Sequence, residues 1–329
     1  MQVQDTDLKL LRIFETIVRC GGFAAAQPIL NIGASSISEY MSQLETRLGL
    51  RLCERGRAGF RLTEEGAELH AAAQRLLGAV DTFHLEAGAL RNQLCGVLRF
   101  GMIEATLTDK YSPLPAAIRE FGQMAPEVRL HVQIDTPGSM EQHVLDGRLH
   151  LAVGPFPARI PGLDYVPLYR EEQGLYCAST HPLYERASGR VPVAVLSKQR
   201  LAARAYLGNQ ELKLLRMPQA AASVDNVEGR AMLILSGNYI GFLPPHYAQP
   251  WVDGGLLSRI DPEHYVTHLD FQIITRKGGE SARVVLAFCN QLRVAAKQVS
   301  RARETANSAR RVMQLRSTIS VAGNRVRVA

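Results

Sequence analysis

The stretch Gly22–Arg61, GFAAAQPILNIGASSISEYMSQLETRLGLRLCERGRAGFR, decides how the first part of the chain folds. In it, apolar residues recur at helical spacing on both sides of a turn at Asn31–Gly33. On the second helix these residues are Ile37, Met41, Leu44 and Leu48. Gly49 then ends that helix, and an arginine-rich segment follows. This order predicts a helix-turn-helix with a basic wing, a motif that places its second helix in the major groove of DNA.

Polar and basic side chains fall on the side of this motif that faces away from its apolar residues. Small hydroxyl-bearing side chains near a helix N-terminus allow a close approach to a groove, and they can hydrogen-bond to phosphates or base edges. The residues predicted to contact DNA are Ser35, Ser36, Ser38, Glu39 and Ser42 on the second helix, and Arg55, Arg57 and Arg61 on the wing. The alternative is a small three-helix bundle whose serines are only solvated.

The motif also matches a known family in the order and spacing of its residues. The matching positions are Phe23, Ala26, Leu30, Ile32, Ser38, Leu44, Glu45, Leu48–Leu50, Leu52, Arg55 and Arg61–Gly66. Together they resemble the N-terminal domain of the LysR-type transcriptional regulators, and the resemblance extends over residues 5–297. It implies a regulator that binds operator DNA, pairs its subunits through a linker helix and responds to a small-molecule effector.

The chain departs from the family pattern where DNA contact is concerned. Gln27 stands where the family usually has alanine, and Pro28 removes a hydrogen bond inside the first helix of the motif. Gly33–Ser35 replaces the family's common Ser-Gln-Pro, so a base-reading glutamine is absent. Glu39 stands where the family often has a basic or polar residue. We therefore expect an operator preference that differs from the usual one.

The composition is that of a globular chain with more than one domain. It has 329 residues, of which 46% are hydrophobic and 21% charged. No apolar run is long enough to span a bilayer, and the acidic start MQVQDTD is unlike a signal peptide, so a cytoplasmic location is predicted. Five scattered cysteines without a CxxC pair predict reduced thiols rather than a zinc site or disulfides.

The positive charge is concentrated at the C-terminal end. After residue 296 there are eight basic residues and one acidic residue, a net +7 that equals the charge of the whole chain. Residues 298–329 are therefore predicted to be a basic extension that lengthens the last helix to about Ser317. A solvated extension is the simpler interpretation, and additional contact with DNA phosphates is the alternative.

A long helix is predicted to follow the wing, over residues 67–95. Its apolar residues alternate at spacings of four and three, which is the heptad pattern of a coiled coil. The residues predicted to form a dimerisation seam are Leu69, Ala73, Leu76, Val80, Phe83, Ala87 and Leu90. The alternative is a helix that packs these residues against its own domain.

From residue 96 onwards, strand-like and helical segments alternate, which indicates an α/β domain with a largely parallel sheet. A chain that leaves one lobe and returns to it predicts two lobes, similar to those of periplasmic solute-binding proteins. Residues 1–66 are thus assigned to a mainly α-helical winged helix-turn-helix domain and 96–297 to a two-lobed α/β effector domain. Lobe I comprises 96–166 and 269–297, and lobe II comprises 167–268.

Ligands of open α/β sheets bind beyond the carboxyl ends of the strands. On that rule the residues predicted to bind the effector are Glu104, Thr106, Thr108, Gly154, Pro155, Phe156, Arg204, Asp225 and Asn226. Free backbone donors at a helix start, and an arginine that faces the cleft, predict an anionic effector. Helix capping by Thr106 and Asp225 and a solvated Arg204 are the alternatives.

Catalytic, metal and cofactor sites are not predicted. No nucleophile elbow, phosphate loop or HExxH motif occurs, and His143 and His150 lack the further ligands that a metal needs. The predicted partners are operator DNA, a small-molecule effector, one or three further copies of the chain, and RNA polymerase. The alternatives are a solute-binding or carrier protein whose N-terminal domain only dimerises, and an enzyme with a regulatory head.

Overall fold

The N-terminal domain consists of three helices and a hairpin. The computed structural model describes residues 4–56, 59–90, 94–278 and 282–325. The elements of this domain are α1 (Asp5–Cys20), α2 (Phe23–Leu30), α3 (Ala34–Leu48), β1 (Cys53–Gly56) and β2 (Gly59–Leu62). Gly21 and Gly49 take the left-handed backbone conformation, with φ of 74° and 66°, and so end α1 and α3. The predicted helix-turn-helix is confirmed, and Pro28 is accommodated inside α2.

One apolar core joins these helices. Phe14 and Ile17 of α1 meet Ile37, Met41 and Leu44 of α3, and all five side chains are at most 2% exposed. Burying a side chain of this size contributes about 1.5–3 kcal/mol. Because these contacts use one face of α3, the opposite face, which carries the serines, is left toward solvent.

The linker helix α4 (Glu64–Leu90) begins directly after the wing. Thr63 caps its first turn, since its hydroxyl accepts the Gly66 backbone N–H at 2.9 Å. A Cβ on Gly66 would lie 1.9 Å from the Leu52 carbonyl oxygen, so only glycine allows the helix to pass this close to the wing. The start of α4 is therefore fixed against the N-terminal domain.

The first half of the predicted seam belongs to this domain's own core. Ala73 is 2% exposed, and Leu69 and Leu76 pack against the same core. The prediction that Ala73 belongs to a dimerisation seam was therefore wrong, because its side chain is buried within its own domain. The apolar row of a long helix packs against different neighbours along its length. Here α1 lies beside the first turns of α4 and buries the apolar residues there.

The second half of α4 exposes more of its apolar row to solvent. Phe83 is 64% exposed, and Val80 and Ala87 are half-buried, while the side chain of Leu90 lies outside the described residues. In a single copy of the chain, leaving a phenylalanine side chain in contact with water forgoes the free energy that its burial would contribute. This half of the helix remains available for a second copy.

The effector domain is built on a mixed sheet of seven strands. The strands are β3 (Gly96–Met102), β4 (Val128–Ile134), β5 (Leu151–Pro155), β6 (Leu163–Ala178), β9 (Gly241–Leu243), β10 (Leu257–Arg259) and β11 (Val266–Arg276). They lie in the order β10–β6–β11–β5–β3–β4, and β9 also pairs with β6. A separate parallel pair is formed by β7 (Ala202–Arg204) and β8 (Ala222–Val224). The helices are α5 (Leu114–Met124), α6 (Pro137–Leu145), α7 (Val193–Leu196), α8 (Gln210–Leu215), α9 (Val227–Leu235), α10 (Pro245–Asp253) and α11 (Arg283–Arg325).

The two lobes share their longest strands. β3 runs parallel to β4 and β5, but β11 is antiparallel to both β5 and β6. The prediction of a largely parallel sheet thus holds only for β3, β4 and β5, because the strands that carry the chain between the lobes run in opposite directions. The predicted lobe boundaries at residues 166–167 and 268–269 both fall inside continuous strands.

The last helix runs well past the effector domain. α11 extends to Arg325, so it continues beyond the predicted end near Ser317. Within the extension, Arg303 donates from Nη1 to the Arg170 carbonyl at 3.0 Å and lies over the Tyr111 ring. Among the helices in the described part of the chain, none combines the length and the apolar character that crossing a membrane requires.

Candidate functional site

The outward face of α3 carries the polar residues predicted to contact DNA. Ser35, Glu39 and Ser42 are exposed, while Ser36 and Ser38 are half-buried. The Ser42 hydroxyl donates to the Ser38 carbonyl at 3.0 Å, so its oxygen remains an acceptor on the helix surface. The structure therefore brings these five residues together on one face of one helix.

An ion pair joins α3 to α1, with the Asp7 carboxylate buried and the Arg47 side chain 33% exposed. Arg47 donates from Nε and Nη2 to the two carboxylate oxygens of Asp7 at 2.6 and 3.0 Å, and Asp7 also accepts the Gln4 backbone N–H at 2.8 Å. The hydrogen bonds from Arg47 and Gln4 lower the pKa of Asp7 below its usual value. The two residues are 40 positions apart in sequence, so helix periodicity could not predict this contact between α1 and α3.

The wing is a short antiparallel hairpin. β1 pairs with β2 with Glu54 opposite Arg61 and Arg55 opposite Phe60. Arg61 is exposed, Arg57 lies outside the described residues, and only the backbone of Arg55 is described. Arg55 and Arg61 thus lie on neighbouring strands beside the C-terminal end of α3. An arginine on such a strand can reach a phosphate of the duplex that α3 contacts.

The residues predicted to bind the effector form contacts between the lobes. The Glu104 carboxylate, which follows β3 in lobe I, accepts the Val227 backbone N–H of lobe II at 2.8 Å. It thereby occupies the N-terminus of α9, which was predicted to hold an anionic ligand. The prediction of a free anion site there was wrong because an acidic side chain of the same chain already satisfies the helix N-terminus.

Neighbouring residues take structural roles. Asn226 caps α9 by accepting the Gly229 N–H at 2.7 Å, and Asp225 is exposed beside it. Thr106 is buried at 3% exposure. The Thr108 hydroxyl lies 2.8 Å from His246 Nδ1, which makes a second contact between lobe I and lobe II.

A polar network continues from His246 into the domain. His246 Nε2 lies 3.1 Å from Glu171 Oε1, and Gln173 donates to Glu171 Oε2 at 2.6 Å. Asp109, Glu171 and His246 offer ligand atoms within 4.8 Å of one another, so these three residues could hold a cation. Sequence reasoning missed this group because its members come from three distant segments and share no spacing.

Arg204 is one of two buried arginines whose charges act on Tyr206, and the other is Arg230. It is 2% exposed, and its Nη1 donates to the Tyr206 hydroxyl at 2.9 Å. Its Nε is buried and has no hydrogen-bond partner among the described residues. Burial raises the pKa of Tyr206, and the charges of Arg204 and Glu104 act on the same hydroxyl, so both lie within electrostatic range of it.

Pro155 and Phe156 belong to a different cavity. Together with Leu207 and Gln210 of lobe II they line a space of about 260 Å³. Gln272 also lines it and donates to the Phe156 carbonyl at 3.2 Å. The structure therefore divides the predicted effector residues between two places, and Gly154 lies in the sheet beside Gln272 rather than in a cleft.

None of the five cysteines forms a disulfide within the described residues. Cys53, Cys177 and Cys289 are buried, and burial raises the pKa of the Cys177 thiol to about 12. Because the thiolate is the reactive form, this environment disfavours redox chemistry at Cys177.

Residues 8–67 match the family model described as "Bacterial regulatory helix-turn-helix protein, lysR family", and residues 91–297 match "LysR substrate binding domain". The "HTH-type transcriptional activator BauR" of Pseudomonas aeruginosa is 42% identical over 300 residues, which is 89% of this chain and 96% of that protein. The "SDS degradation transcriptional activation protein" of a Pseudomonas species is 27% identical over 261 residues, 78% of this chain and 84% of that one.

Solved structures share the fold. That of CbnR, a LysR family transcriptional regulator, superposes with a TM-score of 0.64 at 20% identity, covering 88% of this chain and 99% of that one. Full-length CbnR complexed with its target DNA superposes with a TM-score of 0.63 at 20% identity, with the same coverage.

Proposed function

The chain belongs to the LysR family of bacterial transcriptional regulators, and from that premise we propose that α3 and the β1–β2 wing form its operator-binding surface. The observation that carries this proposal is the division of α3 into a buried apolar face and an exposed face of serines. Helix α3 enters the major groove, where serine hydroxyls meet base edges, and the wing arginines meet phosphates. Titration with operator and scrambled duplexes tests the proposal.

Glu39 is the unusual residue on this surface. It is exposed in the middle of the serine face and would repel phosphates, but a carboxylate can accept a hydrogen bond from the N4 amino group of cytosine. Glu39 therefore reads a base rather than the backbone. Since regulators of this family act on DNA, the chain works in the cytoplasm, where RNA polymerase is a further partner.

The second half of α4 pairs two copies of the chain. Phe83, which is 64% exposed, lies at the centre of this contact with Val80 and Ala87 beside it. Two such helices bury their apolar rows against each other, which offsets the cost of exposing Phe83 to water. A two-fold pair of N-terminal domains then meets two operator half-sites, and two pairs form a tetramer.

We expect Phe83→Glu to convert the protein to monomers. The substitution places an unpaired charge in the helix contact, which typically costs several kcal/mol. Light scattering at low micromolar concentration measures the mass. Leu107→Glu is the matched control, because Leu107 is an 84% exposed apolar residue away from α4 and should leave the mass unchanged. A native mass for Phe83→Glu would rule out this half of the helix as the subunit contact.

The effector binds between the lobes and replaces contacts that now join them. The Glu104–Val227 and Thr108–His246 contacts support this, since each joins lobe I to lobe II. The Arg204 Nε supplies a donor for an anionic group of the effector. A ligand with different affinities for the open and closed arrangements shifts the balance between them, and α4 transmits the shift to the N-terminal domain.

We expect Glu104→Ala to loosen the lobes. The Val227 amide loses its hydrogen bond and should exchange its hydrogen about fivefold faster, as the loss of about 1 kcal/mol implies. Hydrogen exchange followed by mass spectrometry measures this. Asp225→Ala is the control, because Asp225 is an exposed carboxylate that neighbours α9 and makes no contact with Val227 in the described network. Equal exchange in both variants would show that Glu104 does not hold the lobes together.

A further inference from the structure

A cavity of about 690 Å³ lies between the N-terminal part of the chain and the edge of lobe I. Helices α1 and α4 form one wall, and strands β3 and β4 with the turn after α6 form the other. It shares no lining residue with the cavity beside Phe156 or with the contacts that join the lobes. Its residues take no part in the operator surface or in the effector contacts described above.

The charges around this cavity are unbalanced. Five arginines and three histidines line it against two carboxylates. The basic residues are Arg12, Arg19, Arg99, Arg129, Arg148, His70, His131 and His143, and the acidic residues are Glu15 and Asp81. Like charges that converge on one cavity repel one another unless an anion lies among them.

Three buried nitrogen atoms of the wall have no hydrogen-bond partner among the residues that the structure describes. Arg99 pairs with Asp81 and donates from Nε to the Arg148 carbonyl at 2.9 Å, yet its Nη2 is buried and unpaired among the described residues. Arg148 binds Gln74 and Asp146 at 3.2 Å each, and its Nε is likewise buried and unpaired. The third is His70 Nε2. Buried polar nitrogens without partners are rare, and the two arginine nitrogens, which can only donate, each call for an acceptor.

Burial is the main influence on the pKa values of the nearby histidines. It lowers the pKa of His70, which Glu15 raises and Arg148 lowers by smaller amounts. It also lowers the pKa of His143, where Arg148 adds to the decrease and Asp135 and Asp146 oppose it. Burial, and next the charge of Arg99, lowers the pKa of His150 to about 4. These groups remain neutral at physiological pH, so the arginines are the permanent charges that face a ligand.

We propose that this cavity binds a multivalent oxyanion, the phosphate or polycarboxylate part of a small molecule, and that the anion bridges the N-terminal domain and lobe I. Arg12 and Arg19 contact it from α1, Arg129 contacts it from β4, and the unpaired nitrogens of Arg99 and Arg148 contact it from the floor. A guanidinium group can donate two parallel hydrogen bonds to two oxygens of a phosphate or a carboxylate. The bound anion fixes the orientation of the DNA-binding domain, so the site regulates the protein independently of the space between the lobes.

The test uses the full-length protein without DNA, which keeps its outcome separate from the operator assignment. Inorganic pyrophosphate is titrated by calorimetry at constant ionic strength set with sodium chloride, and citrate is titrated in a second series. We expect saturable binding of one anion per protomer. Tighter binding of pyrophosphate assigns the site to phosphate groups, and tighter binding of citrate assigns it to polycarboxylates. No saturable binding of either anion overturns the proposal.

Variants at the rim locate the site. Arg19 and Arg129 are exposed, so Arg19→Gln with Arg129→Gln leaves the fold intact and should weaken binding about 100-fold, or about tenfold for each lost charged hydrogen bond. The matched control is Arg119→Gln with Arg186→Gln, which removes two exposed charges outside the cavity and should change affinity within about twofold. Equal weakening in both double variants would mean nonspecific attraction and would overturn the proposal.

A hydrogen-exchange experiment tests whether the bound anion bridges the N-terminal domain and lobe I. Hydrogen exchange with saturating pyrophosphate should slow in both α1 and β4, because one anion contacts both. Slower exchange in α1 alone, or in β4 alone, would contradict a ligand that joins the two domains.

Discussion

A chain in which Arg55, Arg57 and Arg61 are all replaced by glutamine is expected to bind any duplex about 1,000-fold more weakly at 50 mM monovalent salt. Each arginine that neutralises a phosphate releases about 0.9 of a counterion, so the slope of log affinity against log salt should fall by about 2.7. The loss should shrink as salt approaches 1 M, where counterion release drives little binding. Fluorescence anisotropy over a salt series measures both quantities.

The matched control removes the same charge elsewhere. Arg119, Arg186 and Arg190 are exposed on the effector domain, and their joint replacement by glutamine should leave the salt slope unchanged. If the control variant loses as much slope as the wing variant, affinity depends on net charge and the wing has no special role.

Replacement of Arg230 by leucine is expected to destabilise the effector domain by about 3–5 kcal/mol. Arg230 is fully buried, and it donates to both carboxylate oxygens of Glu211, at 2.9 and 3.2 Å, and to the Phe242 carbonyl. Burial lowers the pKa of Arg230 to about 10, while Glu211 opposes that shift. Without the arginine, a 3% exposed carboxylate and a carbonyl lose their partner in the core of lobe II.

Thermal unfolding measures this loss, and Tm should fall by about 10 °C for a domain of this size. The double variant Arg230→Leu with Glu211→Leu should recover a large part of the difference, because it leaves no unpaired charge behind. A double variant as unstable as Arg230→Leu alone would show that packing volume, rather than the ion pair, governs the stability of lobe II.

Local features of the sequence predicted most of the fold. The turn at Asn31–Gly33 and the end of the second helix at Gly49 were predicted from the sequence, and α3 does run between them, from Ala34 to Leu48. These signals act within a few residues and need no knowledge of what lies nearby in space.

Contacts between distant segments were beyond such reasoning. The α4 apolar row was predicted as one seam, yet its first half packs on α1, because periodicity gives the face of a helix but not its neighbour. Glu104 and the start of α9 were predicted separately as parts of an anion site. The structure joins them to each other, since a carboxylate and a helix N-terminus 123 residues apart are complementary.

The most direct measurement selects genomic DNA fragments with the purified protein, and then compares their affinity with that of scrambled duplexes at 150 mM salt. We predict two half-sites one helical turn, or a whole number of turns, apart and an affinity ratio of at least about 1,000. Ser35→Ala with Ser42→Ala should lower this ratio about tenfold and leave the affinity for scrambled DNA unchanged, because these hydroxyls meet bases. A ratio near one for the unmodified protein, or the same selected sites and ratio for the α3 variant, would contradict sequence reading by this helix.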